Sequence, residues 1–268
     1  MSAPSDRDEL ACDLLLEEGP LLCVNKPATV LTQAPPGIDS VELRVKRYLK
    51  RRDRLRGKVY LGVCHRLDRP VTGVLLFTTT KPAARRVSRQ FERRSVEKIY
   101  WAMVGGIVEP SYGTWRDHMR KAGKASFAEI ASPAETGQGE VTTGVREARL
   151  RYRTLLSFDD RTLLEIQLDT GRFHQIRLQA GVRGHVILGD FAYGSEIDPW
   201  TGGAEAKDSD PATRDKREMR IALHARRLAF THPDTNERIT ITAAAPPHWR
   251  RLDLPDEAFR SHIKRSSP

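Results

Sequence analysis

The chain has 268 residues, and its 45 Lys and Arg against 35 Asp and Glu give a formal net charge of +10. Hydrophobic residues make up 39% of the sequence, a share that supports a folded core and excludes a disordered basic tail. No apolar run reaches the roughly 18–20 residues that span a bilayer, and the polar N-terminus predicts neither a signal peptide nor a transit peptide.

The first half of the chain predicts strands interrupted by two basic helices. We expect a flexible lead-in over residues 1–12, and a buried strand followed by a turn over 21–31. Helical spacing predicts a helix over 39–55, with Asp39 and Glu42 as a capping box. A second basic helix is predicted over 81–94, and further strands are predicted at 59–64, 71–79 and 98–104.

The second half predicts mostly strands. The pattern is irregular from 105 to about 125, and 131–145 and 195–219 are predicted as loops. A hairpin is predicted over 147–157 and 161–169, a short helix over 171–181, and a last strand pair over 221–230 and 236–243, after which Pro246-Pro247 closes the ordered region. Because strands outnumber helices and many adjoin in sequence, we expect an α+β fold with a mixed, largely antiparallel sheet and flanking helices.

The segment HRLDRPVTG, residues 65–73, places charged side chains between two apolar strands. Turn chemistry accounts for Asp68, Pro70 and Gly73, but it does not account for Arg66 and Arg69. These two cations would favour the ionised form of Asp68, and an ionised carboxylate at a strand end can act as a nucleophile or a base. At this point a catalytic Asp68 and a structural salt-bridge turn both remain open.

The segment GRFHQIR, residues 171–177, is followed by GDFAYG at 189–194. Its Arg, His and Gln side chains form a dense set of donors that suits phosphate or carboxylate groups. The alternative is a solvated helix face, and Ile176 and Leu178 weigh against it because they indicate that part of the helix is buried.

The sequence lacks the residue spacings of metal-binding and nucleotide-binding sites. The eight His and three Cys show no metal-binding pattern, and no phosphate-binding Gly-rich motif is present, so we predict no metal and no nucleotide cofactor. Cys12, Cys23 and Cys64 are scattered and odd in number, which favours a reducing cytoplasm over a disulfide framework.

Taken together, five blocks of the sequence resemble the motifs of the RluA-type pseudouridine synthases. They occur in the family's order and cover roughly residues 20–248: VNKP at 24–27, HRLDRPVTG at 65–73, KIY at 98–100, GRFHQIR with GDFAYG, and LHA with FTHP at 223–233. Two details depart from the family pattern. A Ser expected before Gly73 is replaced by Thr72, and the Pro that often precedes the Gly-Asp pair is absent.

The resemblance implies a cofactor-independent isomerase that converts uridine to pseudouridine in structured RNA, either ribosomal or transfer RNA. It implies a catalytic role for Asp68, as nucleophile or as base at the 2′ carbon. It further implies that Tyr100 packs on the target base, that Arg177 pairs with the catalytic carboxylate, and that Arg66 enters the RNA as the base flips out. The remaining motif residues are expected to bind substrate or RNA: His65, Leu67, Arg69, Lys98, Arg172, His174, Gln175 and Ile176.

The resemblance also implies a domain organisation. We expect one pseudouridine synthase catalytic domain over 13–255 and a C-terminal tail over 256–268, with no separate N-terminal RNA-binding domain and a monomeric state. Two other functions stay open, namely a catalytically silent RNA-binding protein of the same fold and a carboxylate-dependent hydrolase.

The two basic helices are candidates for contact with the RNA backbone. RNA is held largely through its phosphates, which attract Lys and Arg. A solvated surface is the alternative for either helix. The candidate residues are Arg44, Arg47, Arg51, Arg85 and Arg89.

Overall fold

The computed structural model describes residues 10–123, 127–132, 144–200, 215 and 217–266. The contacts divide the chain into two compact units within the span for which the sequence predicts one domain. The first comprises residues 1–98, 216–219 and 224–268, and the second comprises 99–215 and 220–223. Most of the predicted lead-in and much of both predicted loops lie outside the described residues.

Each predicted helix and strand has a counterpart in the structure, which also contains strands that the sequence does not predict. The helices are α1 (Val41–Arg52), α2 (Lys81–Glu92) and α3 (Gln175–Gly181). The strands are β1 (Asp13–Glu18), β2 (Leu21–Lys26), β3 (Gly62–Val63), β4 (Thr72–Thr78), β5 (Glu97–Gly105), β6 (Tyr112–Lys121), β7 (Ala128–Ile130), β8 (Arg146–Ser157), β9 (Arg161–Leu168), β10 (Leu223–Thr231), β11 (Arg238–Thr242) and β12 (His262–Ser266). None of the described helices is long and apolar enough to cross a bilayer.

In the first unit the strands follow the order β1-β2-β4-β10-β11-β12, and β3 also pairs with β4. The β4–β10 pair is parallel and the others are antiparallel. Every residue of β4 is buried, and a core of strand residues packs against Val87 of α2 and Val96. This core therefore fixes both ends of the segment that carries Asp68.

In the second unit β5, β9, β8, β6 and β7 pair in that order, and every pair is antiparallel. Buried residues alternate along β8, where Ala148, Leu150 and Tyr152 face inward, so the predicted hairpin is confirmed. The mixed, largely antiparallel sheet with flanking helices is confirmed as well.

The capping of α1 differs from the prediction. Ser40, not Asp39, is the N-cap, and its Oγ accepts a hydrogen bond of 3.2 Å from the amide of Leu43. Asp39 instead binds the guanidinium of Arg44 at 2.6 and 2.9 Å. The predicted capping box is therefore wrong, because the residue three positions after the true cap is Leu43.

Strand β6 lies in the region predicted to be irregular. Its buried residues are Trp115 and Met119, while the rest of the strand is mostly polar and either partly buried or exposed. With so few apolar side chains, the period of two that marks a strand is weak in this segment.

The described residues of the predicted C-terminal tail form a turn and a strand. A short 3-10 turn over Asp256–Phe259 leads into β12, which pairs with β11 along its whole length. Upstream, Trp249 is fully buried beyond Pro246-Pro247, so those prolines do not close the ordered region. All five residues of β12 are exposed, and backbone pairing therefore holds a strand that hydrophobic patterning could not reveal.

Candidate active site

A buried lysine fixes the loop that carries Asp68. Lys26, at the end of β2, is fully buried. Its Nζ donates to the carbonyl oxygens of Pro27 at 2.8 Å, Arg69 at 3.0 Å and Val71 at 2.7 Å. The three protons of an ammonium group match these three acceptors, and two of the acceptors closely follow Asp68 in the sequence.

Two opposing influences act on the pKa of Lys26. Burial lowers the pKa of Lys26 to about 7, and the negative charge of Asp68 opposes that change. Lys26 was not among the predicted site residues, although the motif VNKP contains it. A lysine at the end of a strand that begins with four apolar residues is the signal that could have identified it.

A threonine holds the other side of the loop. The hydroxyl of buried Thr32 donates to the carbonyl of Leu67 at 2.8 Å and accepts from the amide of Leu67 at 3.1 Å. Leu67 is itself buried, so the residue before Asp68 is anchored by both its backbone and its side chain. Asp68 is half-buried between the buried Leu67 and the half-buried Arg69. Arg66 is exposed, and its entry into RNA stays a prediction.

His65 faces the protein interior. Its ring stacks on Phe91 of α2, with centroids 4.9 Å apart, and its Nε2 accepts a hydrogen bond of 3.0 Å from the amide of Leu76. Burial, aided by the charge of Lys98, lowers the pKa of His65 to about 3. The neutral ring therefore joins the Asp68 loop to β4 and α2, and its expected contact with RNA stays a prediction.

The far end of the loop is held where β4 meets β10. Buried His224 contacts the hydroxyl of Thr72 through Nδ1 at 2.8 Å and the carbonyl of Ala243 through Nε2 at 3.2 Å. Since a carbonyl can only accept, Nε2 carries the proton and Nδ1 accepts from Thr72. Burial lowers the pKa of His224 to about 3.

Gly73 permits the close approach of these two strands. Its φ of +116° lies in the region that favours glycine, and a Cβ placed there would collide with the backbone of Ala225. The family motifs contain both Gly73 and His224, but neither was among the predicted site residues.

In the second unit, Arg177 is buried on α3. Its Nε and Nη2 donate to the two carboxylate oxygens of Asp190, at 2.6 and 2.7 Å. Both side chains are almost fully buried, so α3 does not present a solvated face here. The pairing of Arg177 with Asp68 that the resemblance implies stays a prediction.

His174 supports the same guanidinium. Nη1 of Arg177 donates to Nε2 of His174 at 3.0 Å, because a guanidinium has no acceptor. Nδ1 of His174 therefore carries the proton and donates to the hydroxyl oxygen of Tyr193 at 2.9 Å, which also accepts from the amide of Ala128 at 2.8 Å. Burial, followed by the charge of Arg177, lowers the pKa of His174 to about 3.

The remaining donors of this motif also serve the fold. Oε1 of buried Gln175 accepts from Thr170 Oγ1 at 2.8 Å and from the amide of Arg172 at 3.0 Å. Nε of Arg172 donates to the carbonyl of Glu147 at 2.9 Å, and Ile176 is buried. The contacts with RNA that the resemblance implies for these side chains stay predictions.

The last motif residues lie on β5. Tyr100 is half-buried and in register with Ile166 of β9, and Lys98 is half-buried at the start of the strand. Asp68 belongs to the first unit, while Tyr100 and Arg177 belong to the second. The joint action of these three residues is a prediction from the resemblance.

Some cations of the basic helices form ion pairs, and others are exposed. On α1, Arg44 binds Asp39, and Lys46 binds Glu42 at 2.5 Å. Arg47 and Arg51 on α1 are exposed, as are Arg85 and Arg89 on α2.

Comparison with known sequences identifies the family of this chain. A family model described as RNA pseudouridylate synthase matches residues 20–181. The tRNA pseudouridine synthase C of Haemophilus ducreyi is 32% identical over 243 residues, which cover 90% of this chain and 93% of that protein. The ribosomal large subunit pseudouridine synthase D of Vibrio cholerae is 29% identical over 261 residues, which cover 93% of this chain and 72% of that protein.

Comparison with solved structures shows a shared fold. Human RNA pseudouridylate synthase domain containing 4 superposes with a TM-score of 0.70 at 21% identity, covering 93% of this chain and 97% of that chain. Human RNA pseudouridylate synthase domain containing 1 superposes with a TM-score of 0.62 at 22% identity, covering 98% of this chain and 92% of that chain.

Proposed function

Because the chain belongs to the RNA pseudouridylate synthase family and is an isomerase of that class, we propose that Asp68 starts the conversion of uridine to pseudouridine in structured RNA. The single observation that carries this assignment is the backbone clamp around Asp68. Lys26 and Thr32 hold the carbonyls of Leu67, Arg69 and Val71, so the carboxylate sits on a loop of fixed shape. Catalytic groups need such preorganisation, because small displacements cost large factors in rate.

The reaction rearranges one nucleotide and balances without a co-reactant. The bond between N1 of uracil and C1′ of ribose breaks, the uracil turns, and a bond forms between C5 and C1′. C5 then loses its proton and N1 gains one. Asp68 assists the first step, either by attack as a nucleophile or by removing the proton from C2′. The nucleotide undergoes no net oxidation or reduction, so the reaction requires neither an oxidant nor a reductant.

The arginines have separate tasks in this proposal. A stacked uridine hides its glycosidic bond, so the target must leave the stack at a cost of a few kcal/mol. Arg66 is exposed beside Asp68 in the sequence and is suited to fill the space that the base vacates. Arg177 is held by Asp190 and His174, which fix the orientation of its guanidinium. Its task in the proposal is to pair with the catalytic carboxylate. Tyr100 would pack on the detached uracil.

The substrate is ribosomal or transfer RNA. Among the relatives, the protein of Haemophilus ducreyi is named for transfer RNA and that of Vibrio cholerae for the large ribosomal subunit. The two relatives have similar identity to this chain, so similarity does not favour one substrate. A monomer that acts in the cytoplasm completes the proposal.

The test is to map pseudouridines in RNA from a strain that lacks the protein. Carbodiimide-stop mapping should show the loss of one or more pseudouridines. The unaltered protein should restore them, and Asp68→Asn, which keeps the size of the side chain, should not. An unchanged map in ribosomal and transfer RNA would contradict the proposal. Restoration by Asp68→Asn would reject Asp68 as the catalytic residue. If RNA binding remained while every site stayed unmodified, the alternative of a silent RNA-binding protein would be favoured.

A further inference from the structure

The strongest unassigned feature is an open groove beside α2. It has a volume of about 450 Å³, and its lining includes Tyr60, Lys81, Arg85, Arg89 and Glu92. The groove lies wholly within the first unit and does not include Asp68.

Three cations form a row along this groove. Lys81, Arg85 and Arg89 are spaced four residues apart, so they share one face of α2 with a rise of about 6 Å between neighbours. All three are exposed, and none of their side chains forms a hydrogen bond or an ion pair within the part of the chain that the structure describes. Their neighbour Arg86, by contrast, binds Asp234 at 2.5 Å. The groove lining has one carboxylate, that of Glu92, compared with these three positive charges.

Tyr60 gives the groove an aromatic wall. Its side chain is 40% exposed, although the residues that follow it enter the core. Gly62 allows the strand to pack closely on α2, because a Cβ at that position would meet Tyr60, Thr78 and Ala84. An exposed ring beside a row of cations is the arrangement by which proteins hold single-stranded nucleic acid, with phosphates on the cations and a base stacked on the ring.

The groove is coupled to the Asp68 loop through the protein. His65 stacks on Phe91 of α2, and Gly62 is separated from Arg66 by only Val63, Cys64 and His65. An RNA strand bound in the groove would therefore be held by the same unit that carries Asp68.

We propose that this groove binds a single-stranded segment of the RNA substrate, with its phosphates on Lys81, Arg85 and Arg89 and one base stacked on Tyr60. This inference rests on the proposed function for the identity of the polyanion. It favours phosphate contact over a solvated surface for α2, where the sequence left both open. It also adds Tyr60, which the sequence motifs do not contain.

The test measures RNA binding separately from catalysis. Fluorescence anisotropy with a labelled uridine-rich oligoribonucleotide gives the dissociation constant at several salt concentrations. For Arg85→Ala/Arg89→Ala we expect weaker binding and a salt slope that is smaller by about 0.7 for each lost phosphate contact. The matched control is Arg260→Ala/Lys264→Ala, which removes two exposed cations from the same unit and should change binding less.

The tyrosine has its own pair of variants. Tyr60→Ala should weaken binding about 5-fold or more through lost stacking, whereas Tyr60→Phe, which keeps the ring, should bind like the unaltered protein. Circular dichroism of each variant checks that the fold is retained.

Three outcomes would overturn the proposal: no binding by the unaltered protein, an unchanged dissociation constant and salt slope for Arg85→Ala/Arg89→Ala, or an equal loss in the control. Failure of the proposed function would look different. The unaltered protein would then bind the oligoribonucleotide through this groove but form no pseudouridine in any RNA.

Discussion

The guanidinium of Arg177 and the carboxylate of Asp190 form a two-bond ion pair that is almost completely buried. A buried pair of this kind costs desolvation of both charges, so removal of one partner leaves the other charge without compensation. The pair also orients a residue that the family resemblance places at the catalytic centre. Its energetic and catalytic consequences can be measured separately.

We expect Asp190→Asn to lower the free energy of unfolding by about 3–5 kcal/mol, because it leaves the buried charge of Arg177 unbalanced. Urea denaturation measures this change. The control is Arg153→Ala, which breaks a more exposed pair with Glu165 and should cost about 1 kcal/mol or less. Equal losses in the two variants would contradict the assignment of a costly buried charge.

Tyr193 should affect turnover as well as stability, because its hydroxyl also accepts from the amide of buried Ala128. In Tyr193→Phe the proton on Nδ1 of His174 loses its acceptor, so the ring can adopt the tautomer that no longer accepts from Arg177. We expect kcat to fall by about 10-fold or more while KM changes little, because a displaced catalytic side chain costs rate. Single-turnover pseudouridine formation measures the chemical step. An increase in KM with unchanged kcat would instead indicate an RNA-binding role for this residue.

Gly73 should tolerate no side chain. In Gly73→Ala the methyl group would collide with the backbone of Ala225 at a φ of +116°. Backbone strain alone costs about 1–3 kcal/mol, and the collision adds to that cost. Gly57→Ala is a matched control, since its φ is +112° with nothing within 4 Å of the added Cβ. Thermal unfolding should separate the two variants, and similar melting temperatures would show that the close approach is unimportant.

Stability should depend on pH through buried histidines. The pKa values of His65 and His224 are lowered to about 3 from an ordinary value of 6.5. Between pH 6.5 and 3 the unfolded chain binds more protons than the folded one, so stability falls as the pH falls through that window. Each histidine contributes a slope of about 1.4 kcal/mol per pH unit, and His224→Gln should remove one such contribution. Urea unfolding at pH values from about 7 down to about 5 measures the slope, and an unchanged slope in that variant would reject the assignment.

The sequence predicted the elements whose apolar pattern is strong and missed those whose pattern is weak. The hairpin of β8 and β9 was predicted because Ala148, Leu150 and Tyr152 alternate with polar residues. Strand β6 was missed because only Trp115 and Met119 are buried along its length. Strand β12 was missed because its exposed residues leave no alternation, and its stability comes from backbone pairing.

Prediction of the site residues from the sequence was limited in a similar way. Motifs could single out Asp68, Arg177 and His174, but they could not tell which donors face the substrate and which support the fold. His65 and Gln175 hold internal hydrogen bonds, an outcome that depends on rotamers and neighbours distant in the sequence. Lys26 gains its role only when three carbonyls converge on it, and no spacing in the sequence encodes that convergence.

The buried ammonium of Lys26 can report on opening of the loop that carries Asp68. Amine-acylating reagents modify lysines that water can reach, and this Nζ is covered while its three carbonyl partners stay in place. Acylation at Lys26 therefore requires the loop around Asp68 to open first. The rate at which this one amine becomes labelled, followed by mass spectrometry, therefore measures how often the loop opens in the unaltered protein.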